Sequence, residues 1–240
     1  MSYFIFRSLP LSADSRTTRN ASIYNASPKH VFTWELDGAS TKKSQSFPFR
    51  RNTKLKKIFF IWYMFWVPLK ILLNAKKEDT IVFMDLETII FGYFIAKIKK
   101  TKIYFDIVDP SSQTKTSNPK FSKFLDKIEY FFAKKSHRVI TPHACRIAFY
   151  KDRIEGFTPI TNNVVIENVP LYKSQPHHPI DDPSSKRKEK IIIGYFGTLD
   201  ANTRGLEWLI ELASQPQSKV ELIIAGQGAL SLKIEEISAC

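Results

Sequence analysis

Residues 191–228 read IIIGYFGTLDANTRGLEWLIELASQPQSKVELIIAGQG, a pattern of strand, turn, helix and second strand. The segments Ile191–Phe196 and Val220–Ala225 are apolar runs, which are typical of parallel strands buried on both faces. Between them an apolar stripe with helical spacing is formed by Leu206, Leu209, Ile210 and Ala213. Two buried strands joined through one helix form a right-handed βαβ unit, so we expect an α/β protein with a parallel sheet.

The turn after the first of these strands lies where a ligand would bind, because open α/β sheets bind ligands beyond the carboxyl ends of their strands. Gly197 permits close approach to the backbone, and Arg204 supplies a fixed positive charge. The start of the following helix offers free N–H groups, which together with the arginine suit an anionic phosphate. A tight turn with a solvated arginine has the same spacing, so both interpretations are open at this point.

The segments GYFGTLDANTRGLEWL at 194–209 and ELIIAGQG at 221–228 resemble the opening of the nucleotide-sugar domain in retaining GT-B glycosyltransferases. The resemblance is to the glycosyl transferases group 1 type, which is glycosyltransferase family 4-like. VVIENVP at 164–170 also resembles the Ile-x-Asn-x-Pro strand that closes the first domain of this family. The resemblance implies an α/β fold of GT-B type, with a Rossmann-like parallel sheet first and then the first βαβ portion of a second Rossmann-like domain.

The resemblance also implies which residues bind the donor. Gly197 and Thr198 occupy the turn, and Arg204 with Gly205 matches the Arg-Gly pair that handles the donor diphosphate. Thr198 stands where many members carry arginine, so one of the two usual diphosphate cations is missing from this turn. The pair Gly226 and Gly228 is expected near the nucleotide.

In such a family, a sugar passes from a nucleotide-sugar to the hydroxyl of a lipid-linked or polysaccharide acceptor, with no cofactor and no metal expected. The pathway that we expect is bacterial surface glycan biosynthesis, of capsule or lipopolysaccharide. The family's Glu-x7-Glu segment would lie beyond residue 240, so we expect a C-terminally truncated chain that is weak or inactive alone and needs a second polypeptide. The alternative is a catalytically inactive, membrane-docked remnant or interaction subunit.

Along the chain we expect an acceptor-side domain at 1–172, a linker at 173–189 and an incomplete nucleotide-sugar domain at 190–240. The segment 170–189 is predicted as the connection because it holds four prolines and a basic cluster. In the first domain, apolar segments bounded by turn residues predict strands at Tyr3–Arg7, His30–Leu36, Thr80–Asp85, Lys102–Val108 and Arg138–Thr141. A helical stripe from Phe121 to Phe132 lies between the last two.

Three polar residues of the first domain are candidates for its site. Asp109 follows the predicted strand Lys102–Val108, and the resemblance implies a catalytic position facing the cleft. An Asx turn ahead of Pro110 would explain the same residue. Arg16 and Arg19 follow the first strand, in the loop that family members often use for acceptor contacts.

The net charge of +13 calls for an anionic partner. Basic and aromatic residues stand side by side around the aromatic run Ile58–Leu69, which is typical of a segment at a membrane surface. The residues predicted to dock there are Lys56, Lys57, Trp62 and Trp66. Docking on an anionic membrane surface, a buried helix and a membrane span are all compatible with this run, although it is short for a span. Nucleic acid is not expected, because no recognition motif accompanies the charge. Without a signal peptide at the N-terminus, we expect a cytoplasmic protein, peripheral on the inner face of the membrane.

Overall fold

The computed structural model describes residues 1–11, 14–51, 53–167, 191–197, 199, 205–215, 217–226, 228–231 and 234. The predicted linker at 173–189 lies outside the described residues, as do Thr198 and Arg204. The chain divides into two compact units, Met1–Tyr172 and Lys173–Cys240.

The first unit is built on a seven-stranded parallel sheet. Its strands are β1 (Tyr3–Phe6), β2 (Val31–Thr33), β3 (Gln45–Ser46), β4 (Thr80–Phe83), β5 (Lys102–Asp106), β6 (Arg138–Thr141) and β7 (Asn163–Val165). They lie in the order β3-β2-β1-β4-β5-β6-β7, and each pair of neighbours is parallel. The chain order reverses between β1 and β4, which is a topological switch point of a doubly wound sheet.

Helices cover both faces of this sheet. They are α1 (Ser15–Ile23), α2 (Lys56–Asn74), α3 (Leu86–Ile98), α4 (Ser111–Thr114), α5 (Pro119–Lys135) and α6 (Cys145–Ala148), with a 3₁₀ turn at Pro28–His30. Phe4 and Phe6 point into the larger core, to which α2, α3 and α5 contribute. Ile5 lies in a smaller core on the other face, where residues of α1 pack. The alternation arises because successive side chains of a strand point to opposite faces.

The five strands predicted for this unit all form, and the predicted stripe from Phe121 to Phe132 lies within α5. Several strands end earlier than predicted. Arg7 and Asp85 stand just beyond β1 and β4, where the polar side chains leave the ladder and bond to each other. The two-residue strand β3 was missed, because Gln45–Ser46 carries no apolar pattern.

The second unit contains two parallel strands, β8 (Ile191–Phe196) and β9 (Val220–Ala225), joined through α7 (Leu206–Ala213). A small core of Leu199, Leu206, Ile210 and Leu230 packs against one face of the pair. On the other face Ile192, Phe196 and Ile223 are exposed. The expectation that both strands are buried on both faces is therefore wrong for this unit, whose described helix α7 covers a single face.

Candidate functional site

Charged side chains follow three neighbouring strands of the first unit at its carboxyl edge. Arg7 comes after β1, Asp85 after β4, and Asp106 ends β5. The ends of parallel strands meet at one edge, where α/β sheets bind ligands. A cavity of about 310 Å³ opens there, and its charged lining residues are Arg7, Arg51, Asp85, Glu87, Asp106, Asp109, Lys115 and Glu129.

Arg7 fixes the loop after β1 to the end of β4. Its Nη1 donates to the Met84 carbonyl and to Asp85 Oδ1, each at 2.7 Å, and its Nε lies 2.6 Å from Asp14 Oδ2. The backbone N–H of Ser8 donates to the other oxygen of Asp85 at 2.6 Å. Burial lowers the pKa of Arg7, but the charges of Asp85 and Asp14 raise it, and the net shift is upward. Arg7 is therefore a permanent cation of the cavity wall.

Arg16 and Asp106 form a buried ion pair across 90 residues of sequence. Arg16 Nη2 lies 2.6 Å from Asp106 Oδ1, and Asn20 Nδ2 donates to Oδ2 of the same carboxylate at 2.6 Å. Burial raises the pKa of Asp106, while Arg16 and Asn20 act in the opposite direction. Only 1% of the Arg16 side chain is exposed. The acceptor contact predicted for Arg16 stays a prediction, and the observed role of its guanidinium is to hold Asp106.

Helix α1 is also tied to the end of β7. Arg16 Nη1 donates to the carbonyl of Ile166 at 3.1 Å, and Arg19 Nη1 donates to the carbonyl of Glu167. Arg19 is buried with the rest of this helix face. The acceptor contact predicted for Arg19 likewise stays a prediction.

Asp109 lies in the cavity wall and remains accessible, with 49% of its side chain exposed. Its Oδ1 lies 2.6 Å from Nη2 of Arg146 on α6. The pair joins the loop after β5 to α6. Asp109 is thus a half-exposed carboxylate at the carboxyl edge of the sheet, and the catalytic role predicted for it stays a prediction.

A buried carboxylate that sequence reasoning missed also lines the cavity. Glu129 on α5 accepts hydrogen bonds from the Ser111 hydroxyl at 2.7 Å and from the Tyr150 hydroxyl at 2.6 Å. Burial raises the pKa of Glu129, and the bonds from Tyr150 and Ser111 partly offset that shift. The available signal was its position, since Leu125, Glu129 and Phe132 fall on one buried stripe of α5.

At the carboxyl edge of the second unit, two loops approach each other through backbone atoms. A Cβ on Gly226 would lie 1.8 Å from the Gly197 carbonyl oxygen, and a Cβ on Gly228 would lie 2.5 Å from the carbonyl carbon of Leu199. Only glycine fits at either place. Gly205 caps the N-terminus of α7 with φ of +69°, a left-handed conformation that also favours glycine. The donor contacts predicted for these glycines, and for Thr198 and Arg204 outside the described residues, stay predictions.

The predicted membrane-docking residues fall into two groups. Lys56, Lys57 and Trp62 are exposed on α2. Trp66 is half-buried against the core, and its ring lies 5.5 Å from that of Phe47. By length and composition, α2 is the one helix among the described residues that is long and apolar enough to cross a membrane.

No group of three or more His, Cys, Asp or Glu side chains is placed to hold a metal ion within the described part of the chain. The expectation that no metal takes part stays a prediction.

No protein-family model and no curated protein matches the sequence. Solved structures do match. HepE of Anabaena in complex with UDP has a TM-score of 0.60 at 13% identity, and the match covers 100% of this chain and 65% of HepE. The lipopolysaccharide outer core galactosyltransferase WaaB has a TM-score of 0.62 at 15% identity, with coverage of 100% and 64%. The N-terminal domain of Candida albicans trehalose-6-phosphate phosphatase has a TM-score of 0.59 at 11% identity, with coverage of 100% and 67%.

This chain therefore spans about 65% of the length of HepE and 64% of that of WaaB. The likeness confirms the fold class predicted from the sequence: α/β, of GT-B type, with a Rossmann-like parallel sheet and a βαβ portion of a second sheet.

Proposed function

We propose that this chain takes part in nucleotide-sugar-dependent glycosyl transfer, as a retaining glycosyltransferase of the group 1 type or as a subunit of one. The observation that carries the proposal is the carboxyl edge of the second unit, where Gly226 and Gly228 bring two loops into backbone contact. Bare backbone at the end of parallel strands suits a diphosphate, because no side chain keeps its oxygens away from the backbone. The fold supports the proposal, since HepE was solved with UDP and WaaB is named a galactosyltransferase.

In this proposal the second unit binds the donor. The turn at Gly197 and Thr198 and the pair Arg204 and Gly205 take the diphosphate, while Gly226 and Gly228 lie near the nucleotide. Breaking the sugar–phosphate bond leaves negative charge on the leaving diphosphate. Donors fixed in advance stabilise that charge without reorganising, which is the largest single contribution in many enzymes.

The cavity of the first unit takes the acceptor. Its carboxylates are hydrogen-bond acceptors, which match sugar hydroxyls, and its volume of about 310 Å³ suits a group of sugar size. Asp109 is the proposed catalytic residue because its carboxylate is half-exposed there, whereas Asp106 is fully buried. The predicted acceptor contacts of Arg16 and Arg19 remain part of the proposal. In the structure these side chains hold α1 in place, Arg16 through Asp106 and Arg19 through the carbonyl of Glu167.

The acceptor that we propose is a lipid-linked or polysaccharide glycan of a bacterial surface, capsule or lipopolysaccharide, with transfer at the cytoplasmic face of the membrane and without metal or cofactor. The proposal includes two possibilities: this chain transfers the sugar alone, or it does so only together with a second polypeptide.

Binding of nucleotides to the full chain tests the donor site. We expect calorimetric titration to show tighter binding of UDP than of UMP, because the second phosphate adds charge-assisted contacts. Arg204→Ala should weaken UDP binding about 10-fold or more and leave UMP binding unchanged. Arg138→Ala, an exposed arginine at the start of β6, is the matched control. Equal affinity for UMP and UDP, or an Arg204→Ala variant that binds UDP normally, would contradict the proposal.

Transfer itself is measured with labelled nucleotide-sugars and bacterial membrane fractions, first with this chain alone and then with candidate second polypeptides. Asp109→Asn should lower kcat by about 100-fold or more at unchanged UDP affinity. If Asp109→Asn retained full transfer, the assignment of Asp109 would be wrong.

A second candidate is the non-catalytic membrane-docked protein considered from the sequence, and the exposed apolar side of α2 favours it. It predicts vesicle binding without measurable affinity for UDP or UDP-sugars. The titration described above separates it from the enzyme.

A further inference from the structure

We propose that the outer surface formed by α2, α3 and α5 docks on an anionic lipid bilayer. We call it the three-helix surface and define it by six large apolar side chains that are 55–71% exposed: Trp62, Phe65, Leu73, Phe94, Ile98 and Phe124. Docking on lipid does not depend on the glycosyl transfer proposed above.

The three helices form one continuous layer on one face of the sheet. All three contribute to the same core, and α3 packs beside both α2 and α5. Gly92 brings α3 close to its neighbours, since a Cβ there would lie 2.9 Å from Ile71 Cδ1 and 2.3 Å from Phe83 Cε1. Lys99 Nζ donates to the Leu72 carbonyl at 3.0 Å and joins the ends of α2 and α3. The apolar side chains that point away from this core therefore share one surface.

This layer carries an excess of positive charge. The three helices carry nine lysines and three acidic residues. Each of these acidic residues has a partner. Glu87 forms an ion pair with Lys115 and Asp126 with Arg153, while Glu129 accepts hydrogen bonds from Ser111 and Tyr150. Asp126 and Glu129 are also buried. A surface that combines exposed aromatic side chains with lysines complements anionic headgroups above an apolar interior.

Further cations stand where these helices end. Lys76 and Lys77 follow α2, Lys99 and Lys100 follow α3, and Arg138 begins the strand after α5. The connecting helices of a parallel sheet run back to its amino edge, so these residues gather beside Leu73 and Ile98. Long basic side chains at such an edge reach headgroup phosphates while the apolar residues enter the boundary layer.

The packing of α2 indicates that it lies on the bilayer and does not cross it. Tyr63, Val67 and Ile71 are each at most 1% exposed, and Tyr63 donates to the Arg7 carbonyl at 2.9 Å. A spanning helix would have to leave this core, and the loss of three fully buried side chains would destabilise the first unit. The half-buried Trp66 belongs to the core side, so the docking surface differs from the one predicted from the sequence: it excludes Trp66 and adds α3 and α5.

Co-sedimentation of the full chain with vesicles tests the proposal. We expect binding to phosphatidylcholine vesicles that contain about 30% phosphatidylglycerol, weaker binding as salt rises, and little binding to pure phosphatidylcholine. Lys120→Glu/Lys123→Glu/Lys127→Glu on α5 should weaken binding on the order of 100-fold. Lys29→Glu/Lys42→Glu/Lys43→Glu makes the same change in net charge at exposed positions outside these helices and should weaken binding far less.

The apolar contribution needs its own variant. Phe65→Glu/Phe94→Glu should weaken vesicle binding by about 10-fold or more, whereas Trp208→Glu, at an exposed position of the second unit, should leave it unchanged. Because these positions are exposed, each variant should keep the melting temperature of the unaltered chain. Equal loss from the two lysine triples, equal binding to neutral vesicles, or a lipid-free dimer that Phe65→Glu/Phe94→Glu dissociates would each overturn the proposal.

Discussion

The two units expose different chemistry at the same place in their sheets. At the carboxyl edge of the first unit, side chains project into the cavity, and Arg7, Arg16, Asp85 and Asp106 are linked by ion pairs and hydrogen bonds. At the carboxyl edge of the second unit, Gly226 and Gly228 leave the described loops as nearly bare backbone. Both edges are formed by the carboxyl ends of parallel strands, so the difference comes from the residues that follow each strand.

Under the proposed function, this difference suits the two edges to two kinds of ligand. Paired side chains form a rigid wall of fixed acceptors and donors, which suits neutral hydroxyl groups. Glycine loops let a ligand approach the backbone without a side chain in between, which suits phosphate. Four substitutions test this comparison. Each measures how much the stability of one unit depends on the groups at its carboxyl edge.

Arg16→Ala should have the largest effect. It leaves the fully buried Asp106 without its ion-pair partner, so we expect the free energy of unfolding of the first unit to fall by about 3–5 kcal/mol. Urea unfolding followed by near-ultraviolet circular dichroism measures it. The double variant Arg16→Met/Asp106→Leu should be less destabilised than Arg16→Ala. A loss below about 1 kcal/mol would show that the first edge does not depend on this pair.

Gly226→Ala should destabilise the second unit by about 3 kcal/mol, because the added methyl overlaps the Gly197 carbonyl oxygen. Amide hydrogen exchange should quicken in 191–231 and stay unchanged in β1, β4 and β5. Gly205→Ala is the matched control: a Cβ there meets no atom within 4 Å, so only the strain of φ at +69° remains, about 1 kcal/mol. Equal effects of the two variants would show that the close backbone contact at Gly226 does not stabilise the second unit.

Tyr150→Phe should destabilise the first unit by about 2 kcal/mol at pH 8, since it removes a hydrogen bond to the buried carboxylate of Glu129. In the folded chain the pKa of Glu129 is raised above its ordinary value of 4.5. Its contribution to stability is therefore complete below pH 4.5 and is lost as the pH rises through the folded pKa.

The substitution raises the pKa of Glu129 further, so the variant should lose more stability than the unaltered chain as the pH rises. Urea unfolding of both proteins between pH 5 and pH 8 measures the difference between their free energies of unfolding. The titration of all other groups contributes equally to both proteins and does not affect this difference. A difference that is constant with pH would show that Glu129 does not titrate as assigned.

Arg146→Ala should have the smallest effect on stability, below about 1 kcal/mol, because the ion pair with Asp109 is partly exposed and screened by solvent. Thermal unfolding in low and high salt measures it. A loss as large as that of Arg16→Ala would mean that the partly exposed pair Arg146–Asp109 stabilises the first unit as much as the buried pair Arg16–Asp106, and it would contradict this prediction.

The sequence predicted the elements that depend on local pattern. The strand that ends in Asp106 and the position of Asp109 beyond it followed from an apolar run and a turn. The pairing of Arg16 with Asp106 could not be predicted in this way, because 90 residues separate them and the spacing of apolar residues along a helix or strand carries no information about it. Glu129 was missed for a related reason: its partners Ser111 and Tyr150 come from two other segments.

Helix α2 shows a different limit of sequence reasoning. Its aromatic residues surround the helix, so periodicity alone does not separate Tyr63, which is buried, from Trp62, which is exposed. Only packing against the sheet distinguishes the two sides. Trp66 was assigned to the membrane side for this reason and lies on the core side instead.

The attachment of α1 has a consequence for the order in which the first unit is completed during synthesis. Arg16 leaves the ribosome 90 residues before Asp106 and 150 residues before Ile166, whose carbonyl also binds it. Until those residues emerge, its guanidinium has neither partner, and burying it is unfavourable. Helix α1 should therefore dock late, once β5 and β7 are in place, although it is the first helix of the chain to be made.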